Sequence, residues 1–337
     1  KEDGSMWGFG ANRNKRLGQG GDAQYPRMII ASGVKYVAAG AYHSLFIKDD
    51  GSVWGMGRNQ EGQLGDDSLA DRENPSMIVN SGAISIEAGY YSSYITMSDE
   101  RILVLGANDY GQLGTGEPLS YQIPQKLEGM KVKSLVASEN ASYFIDLNDS
   151  LWSLGSDSYG KLGNGAAGNS YAPVKVVEGN VSTVSSILQH VFYLDQNGTL
   201  MGFGGTHYGK LNSSIPGSTS PKLIKDGNVI SFSAGGSHSA YVLNDGSLWT
   251  FGRNLSGQLG DSNTSNQGTP LKVVDANVTQ VSAGGSHTLF IKNDGSAWAM
   301  GENGNGQLGE GTTTDRNVPV KIIDENVKAF DEVENVS

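Results

Sequence analysis

The feature that most constrains this chain is a segment that occurs seven times in register. One copy extends from Gly51 to Gly65 and reads GSVWGMGRNQEGQLG. The central glycines of the copies lie 47 to 49 residues apart: Gly10, Gly57, Gly106, Gly155, Gly204, Gly252 and Gly301. Seven of the nine prolines keep the same register: Pro26, Pro75, Pro124, Pro173, Pro221, Pro270 and Pro319. Such regularity predicts one repeat architecture over residues 1–337, because each unit buries its apolar faces only against its neighbours.

Each repeat carries four short strand signals and no helical periodicity. Val34–Ala38 is β-branched and aromatic, and His43–Lys48 alternates and stops at Asp50-Gly51, a pair that closes hairpins. Ser52–Gly57 is the third strand, and Pro75–Val79 opens the fourth, since proline is tolerated at a strand start. The pattern predicts an all-β fold, a seven-bladed β-propeller with four-stranded antiparallel blades.

The two chain ends carry the two parts of one repeat. Lys1–Gly4 matches Lys48–Gly51, so the chain begins in the middle of a unit. A step of 49 residues from Gly284 reaches Val333, close to the end of the sequence. We therefore expect one blade to be completed by both termini, and the propeller to be part of a longer chain.

The repeat resembles a known family. Units such as Ala39–Leu45, followed by Gly51–Asn59 and Gly62–Gly65, resemble the regulator of chromosome condensation repeat over essentially the whole chain. Gly311–Pro319 resembles the bacterial branch of that family. The resemblance implies a seven-bladed propeller, in agreement with the strand pattern.

Composition narrows the classes of function. The 24 basic and 35 acidic residues give a net charge of −11, which opposes binding to nucleic acids and to anionic membranes. No cysteine is present, which excludes disulfides and thiolate chemistry, and no apolar run approaches the roughly 18 residues of a membrane span. We expect no membrane insertion. We expect a bacterial secreted or cell-surface protein that acts as a monomeric ring.

Most residues that suggest chemistry occupy repeated positions. His43, His190, His238 and His287 share one position in different blades, so they cannot meet at a metal and are expected to make structural hydrogen bonds. The five tryptophans share another position and are expected in the core. Gly304–Gly309 matches a dinucleotide-binding pattern only because it contains the repeated Gln-Leu-Gly. The sequence therefore predicts no catalytic residue, no metal and no cofactor.

Tyrosines stand out where the repeats differ. The first and third loops of a four-stranded meander open on one face. The first loops contain Tyr42, Tyr90 and Tyr91, and one third-loop position holds Tyr110, Tyr159 and Tyr208. Because exposed tyrosines are enriched in interface hot spots, these six are the predicted partner-binding residues.

The sequence thus favours a non-catalytic protein–protein interaction module that binds through the loops of one face. One alternative is a proteinaceous enzyme inhibitor, because the position of Tyr42 and Tyr91 resembles that of the aromatic residues in a propeller-type β-lactamase inhibitor. A small-GTPase nucleotide exchange factor, as in the family's founding member, and a carbohydrate-binding propeller are further alternatives. Acidic charge and uniform repeat spacing argue against the exchange factor.

Overall fold

The computed structural model describes residues 3–213, 217–325 and 327 and contains seven antiparallel β-sheets. Six are four-stranded, with their strands in chain order, and the seventh has two described strands. Outside the strands, the regular elements of the described residues are two short 3₁₀ turns, at Ser158–Gly160 and His207–Gly209. The prediction of an all-β, seven-bladed propeller is confirmed.

We number the blades along the chain. The two-stranded terminal blade consists of β1 (Met6–Gly10) and β2 (Ala23–Ile30). Blades 1 to 3 consist of β3 (Val34–Ala39), β4 (His43–Lys48), β5 (Val53–Gly57) and β6 (Arg72–Val79); β7 (Ala83–Ala88), β8 (Ser92–Met97), β9 (Ile102–Gly106) and β10 (Tyr121–Leu127); and β11 (Val132–Ala137), β12 (Ala141–Asp146), β13 (Leu151–Gly155) and β14 (Ser170–Val177). Blades 4 to 6 consist of β15 (Val181–Ser186), β16 (His190–Asp195), β17 (Leu200–Gly204) and β18 (Ser218–Lys225); β19 (Val229–Ala234), β20 (His238–Leu243), β21 (Leu248–Gly252) and β22 (Gln267–Val274); and β23 (Val278–Ala283), β24 (His287–Lys292), β25 (Ala297–Gly301) and β26 (Arg316–Ile323).

Two details of the strands differ from the sequence prediction. The second strand does not alternate in burial: His43–Ile47 is buried throughout, because both faces of this strand pack against neighbouring blades. The fourth strand begins three residues before the proline, and Pro75 lies inside β6. Proline is accommodated there because the fourth strand is the edge of its sheet, where one side of the backbone needs no ladder partner.

The apolar core lies between blades. In one cluster, Leu45 and Ile47 of blade 1 pack with Ile86 and Ile95 of blade 2, and all four are at most 5% exposed. The prediction that the tryptophans lie in this core is wrong. Trp54, Trp152, Trp249 and Trp298 are half-buried beside it, and Trp7 is 39% exposed. Burial is thus distributed around the ring, and each blade depends on its neighbours for its core.

Histidines join successive blades. His43 Nε2 lies 2.9 Å from Ser93 Oγ in the next blade, and Ser93 donates back to the carbonyl oxygen of Gln63 at 2.7 Å. His190 and His238 make the same contact with a hydroxyl of the following blade. Burial lowers the pKa of His43 to about 3, so the ring is neutral at pH 7. The predicted structural hydrogen bonding is confirmed for His43, His190 and His238.

The ring is closed by contacts on both sides of the terminal blade. On one side Met6 packs with Phe46 and Met56 of blade 1. On the other side Gly306 of blade 6 lies against Gln24, so closely that a Cβ on this glycine would be 2.7 Å from the Gln24 Cα. The predicted completion of this blade by the C-terminus concerns residues 328–337, which lie outside the described residues.

Candidate protein-binding face

The first and third loops of each blade are held together on one face. In six blades a third-loop N–H donates to a first-loop carbonyl oxygen: Arg58 to Tyr42, Ala107 to Tyr91, Ser156 to Asn140, Gly205 to Gln189, Arg253 to Ser237 and Glu302 to Ser286, at 2.7 to 2.9 Å. The preceding central glycine has a positive φ, and at Gly57 a Cβ would lie 2.6 Å from the Tyr42 oxygen. This clamp explains the central glycine in these six copies.

Three of the six predicted tyrosines form one cluster. Tyr42 of blade 1 stacks on Tyr91 of blade 2, with ring centroids 5.2 Å apart and ring planes at 16°. Tyr90 packs edge-on against both rings, at centroid distances of 6.1 and 5.9 Å. All three side chains are half-buried. Each ring thus restrains the other two, and the cluster presents a defined aromatic surface with little freedom left to lose on binding.

Arg58 extends this cluster. The Arg58 Cζ atom lies 5.6 Å from the Tyr42 ring centroid and 5.2 Å from that of Tyr91. A guanidinium at this distance is attracted by the ring quadrupole. Sequence inspection missed Arg58, although its position also holds Ala107, Ser156 and Glu302 in other repeats and so varies in charge.

The other three tyrosines are separate from this cluster and from one another. Tyr110, Tyr159 and Tyr208 are 40%, 53% and 51% exposed and lie on successive blades. Among the described residues their rings form no aromatic pair with each other. Tyr159 instead packs edge-on against His207 at 5.4 Å, and the Arg253 guanidinium lies 5.9 Å from the Tyr208 ring centroid. The six predicted tyrosines therefore do not form one continuous surface: three form the cluster, and the other three stand apart.

Tyr159 and Tyr208 have an unusual backbone conformation. Their φ angles are 68° and 62°, in the left-handed region that disfavours non-glycine residues, and they coincide with the two 3₁₀ turns. Of the described copies of this position, only these two have a positive φ. In four other blades the corresponding N–H donates to a glutamine side chain two residues later: Glu61 to Gln63, Tyr110 to Gln112, Ser256 to Gln258 and Asn305 to Gln307.

Lysine replaces that glutamine in the two unusual loops. An ammonium group has no acceptor, so the N–H groups of Tyr159 and Tyr208 cannot bond to Lys161 and Lys210 in this way. The loss alone does not reverse the turn, because Arg16 replaces the same glutamine in the terminal blade and Asn14 does not have a positive φ. The sequence shows the substitutions, since Lys161 and Lys210 stand where four other repeats have glutamine.

Both lysines are buried under the first loops. Lys161 Nζ donates to the Leu188 carbonyl oxygen at 3.3 Å and lies 3.8 Å from a carboxylate oxygen of Glu139. Lys210 Nζ donates to Gln189 Oε1 at 3.0 Å. Burial, and then the positive charge of Lys161, lower the pKa of Lys210 to about 8. The ammonium groups therefore tie the first loops of blades 3 to 5 together from below.

Within residues 3–213, 217–325 and 327, no three or more histidine, aspartate or glutamate side chains are grouped as metal ligands would be. In the same residues no helix is long and apolar enough to cross a membrane.

Comparison with known proteins assigns the family. The regulator of chromosome condensation (RCC1) repeat profile matches residues 3–47, 50–95, 99–144, 245–291 and 294–337. The chain belongs to this family. A second profile of the same repeat matches residues 34–63, 229–258 and 278–307. No curated protein sequence matches the chain.

Solved structures of the family share the fold. Human WBSCR16 is 22% identical, with a TM-score of 0.81, and the match covers 94% of this chain and 93% of that one. Prp20p from Saccharomyces cerevisiae, described with its binding to Gsp1p and histones, is 20% identical, with a TM-score of 0.83 and 94% and 85% coverage. The same yeast protein bound to Kap60 gives a TM-score of 0.83, 20% identity and 94% and 83% coverage. At these identities the likeness shows the fold alone.

Residues 145–228 match neither repeat profile, yet they contain complete strands of blades 3 and 4. Tyr159, Lys161, Tyr208 and Lys210 all lie in this segment. The sequence therefore departs from the family pattern where the third loops depart from the common turn, and the blades themselves are maintained.

Proposed function

We propose that this propeller is a non-catalytic protein–protein interaction module of a bacterial secreted or cell-surface protein. It binds its partner through the loops of one face. The observation that carries the proposal is the cluster of Tyr42, Tyr90 and Tyr91, in which three half-buried aromatic rings from two blades are fixed against one another and against Arg58. Rigid aromatic side chains with partly exposed rings are typical of interface hot spots.

A pull-down from bacterial extracellular and surface fractions tests the proposal. The propeller is compared with a variant in which Tyr42, Tyr90, Tyr91, Tyr110, Tyr159 and Tyr208 are all alanine. We expect the variant to bind the recovered partner at least about a hundredfold more weakly, since central hot-spot side chains contribute roughly 2 kcal/mol each.

A matched control carries alanine at three exposed apolar residues near the opposite ends of the strands, Ile84, Leu147 and Ile230, which are 51%, 54% and 51% exposed. This control is expected to bind as the unmodified propeller does. Equal binding by the tyrosine variant, with its fold intact by circular dichroism, would refute the proposal.

A narrower form of the same function is enzyme inhibition. The stacked pair of Tyr42 and Tyr91 supports it, because both residues precede the repeated histidine position. Inhibition of a class A β-lactamase, lost in the tyrosine variant, is the expected result in that case.

A further inference from the structure

The tyrosine cluster continues into a basic region on the same face. Arg16, in the third loop of the terminal blade, donates through Nε to the Ala11 carbonyl oxygen at 2.9 Å and through a second nitrogen to the carbonyl oxygen of Ala41. Ala41 precedes Tyr42, so this guanidinium lies beside the cluster. We call Arg16, Tyr42, Arg58, Tyr90 and Tyr91 together the aromatic–guanidinium patch.

The guanidinium of Arg58 has unused hydrogen-bonding capacity. Its Nε is buried and has no hydrogen-bond partner among the described residues. Its nearest described carboxylate is that of Glu61, where the N–O distance of 3.7 Å exceeds that of a hydrogen bond. The side chain is 24% exposed, and its Cζ atom lies near the rings of Tyr42 and Tyr91. The planar fork of a guanidinium is suited to a carboxylate.

The patch itself is cationic. Arg16 and Arg58 carry its two charges, and none of its five residues is a carboxylate. The complete third loops on which they lie, 11–22 and 58–71, contain four cations (Arg13, Lys15, Arg16 and Arg58) and five carboxylates (Asp22, Glu61, Asp66, Asp67 and Asp71), a net charge of −1. The positive charge is therefore confined to the patch, where it favours a carboxylate of the partner.

We propose that the aromatic–guanidinium patch binds an acidic segment of the partner protein. A carboxylate of that segment pairs with Arg58 in place of Glu61, and a neighbouring apolar side chain packs on the rings of Tyr42 and Tyr91. This proposal rests on the proposed function, for which it names the chemistry of the partner.

Three short fluorescein-labelled peptides test it by fluorescence anisotropy. They alternate phenylalanine with glutamate, with glutamine or with lysine. We expect the glutamate peptide to bind the propeller at least about tenfold more tightly than the other two, and to bind more weakly as salt is added. Absence of measurable binding by the glutamate peptide, or equal binding by the glutamine peptide, contradicts the proposal.

Two charge-matched variants locate the site. Arg58→Gln is expected to weaken binding of the glutamate peptide about tenfold. Arg101→Gln is the control, because Arg101 forms an exposed ion pair with Asp99 in a second loop, on the opposite face, and its removal is expected to change nothing. Equal effects of the two variants overturn the assignment to Arg58.

The same variants separate this proposal from the proposed function. If the six-tyrosine variant loses the recovered partner and Arg58→Gln retains it in full, the interaction face stands and the acidic partner is wrong. If neither variant loses the partner, both proposals are wrong.

Discussion

Neighbouring blades are joined through a hydroxyl group at one repeated position, which the histidines contact. In blades 2 and 3, which lack the histidine, a tyrosine makes the contact instead. Ser92 replaces the histidine in blade 2, and Tyr94, two residues later, donates to the Gln112 carbonyl oxygen at 2.8 Å and accepts from Ser142 Oγ at 2.6 Å. In blade 3, Tyr143 donates directly to the Lys161 carbonyl oxygen at 2.8 Å. Different side chains thus reach the same carbonyl position, because what the interface requires is a polar group at one place.

The buried histidines predict a dependence of stability on pH. Burial lowers the pKa of His43 and His238 to about 3 and that of His287 to about 4, and lowers that of His190 strongly. Below pH 6.5 the unfolded chain binds protons that the folded chain does not, so stability is complete above that pH and is lost as the pH falls. We expect urea unfolding to show a decrease of about 1.4 kcal/mol per buried histidine between pH 7.5 and 5.5.

The variant His43→Gln isolates one of these contributions. It removes one titrating group, so the decrease in the free energy of unfolding over the same pH interval is expected to be smaller by about 1.4 kcal/mol. An unchanged pH dependence in this variant would show that the histidines titrate alike in the folded and unfolded chains.

At the scale of elements, the third loop of blade 4 has a reversed turn where a lysine replaces the repeated glutamine. We expect Lys210→Gln to return Tyr208 to a negative φ, with its N–H bonded to the new glutamine, because this bond is present in the glutamine-bearing loops. A crystal structure of the variant checks the backbone. A retained positive φ at Tyr208 would mean that the lysine is not the cause.

Lys210→Gln is also expected to change how the stability of the propeller depends on pH. The lowered pKa of Lys210, about 8, means that its charge destabilises the folded chain at pH 7 and does so less as the pH rises above 8. The unmodified propeller is expected to gain about 1 kcal/mol of stability from this lysine between pH 7 and 9, a gain that Lys210→Gln abolishes.

Sequence patterns predicted the elements better than their burial. Turn residues located the hairpins, and His43–Lys48 was predicted with its observed bounds. The prediction that the second strand alternates in burial was wrong. Alternation arises when one side of a strand faces solvent, and neither side of this strand does. Likewise, the substitutions at Lys161 and Lys210 were visible in the sequence, whereas the reversed turns were not, because Arg16 replaces the same glutamine without reversing the turn at Asn14. The role of the six tyrosines in binding stays a prediction.

At the scale of the whole molecule, closure of the ring depends on close backbone contact between blade 6 and the terminal blade. Gly306→Ala would place a Cβ 2.7 Å from the Gln24 Cα at a φ of 75°, whereas Gly304, two residues earlier, has open space around it. We expect Gly306→Ala to lower the free energy of unfolding by about 2 kcal/mol or more, and Gly304→Ala to leave it nearly unchanged. Urea unfolding of both variants checks this, and equal stabilities would show that the contact does not hold the ring closed.

The seven-bladed ring itself was predictable from the sequence because its register is set by repeated glycines and prolines. The separation of three tyrosines from the cluster was not. Equal spacing along the chain places Tyr110, Tyr159 and Tyr208 at one height on successive blades, but it does not show that Tyr159 turns to His207 and Tyr208 to Arg253.

The clamp between first and third loops has a consequence for how this face can evolve. Its hydrogen bonds join backbone atoms, so they persist whatever side chains the loop tips carry. A tip can acquire a tyrosine, an arginine or a serine by point mutation while the clamp is kept, as the copies in this one molecule already illustrate, although the third-loop turns at Tyr159 and Tyr208 have the opposite sign of φ. The face is therefore a set of variable positions at fixed spacing, and new specificities are accessible through single substitutions while the blades are unchanged.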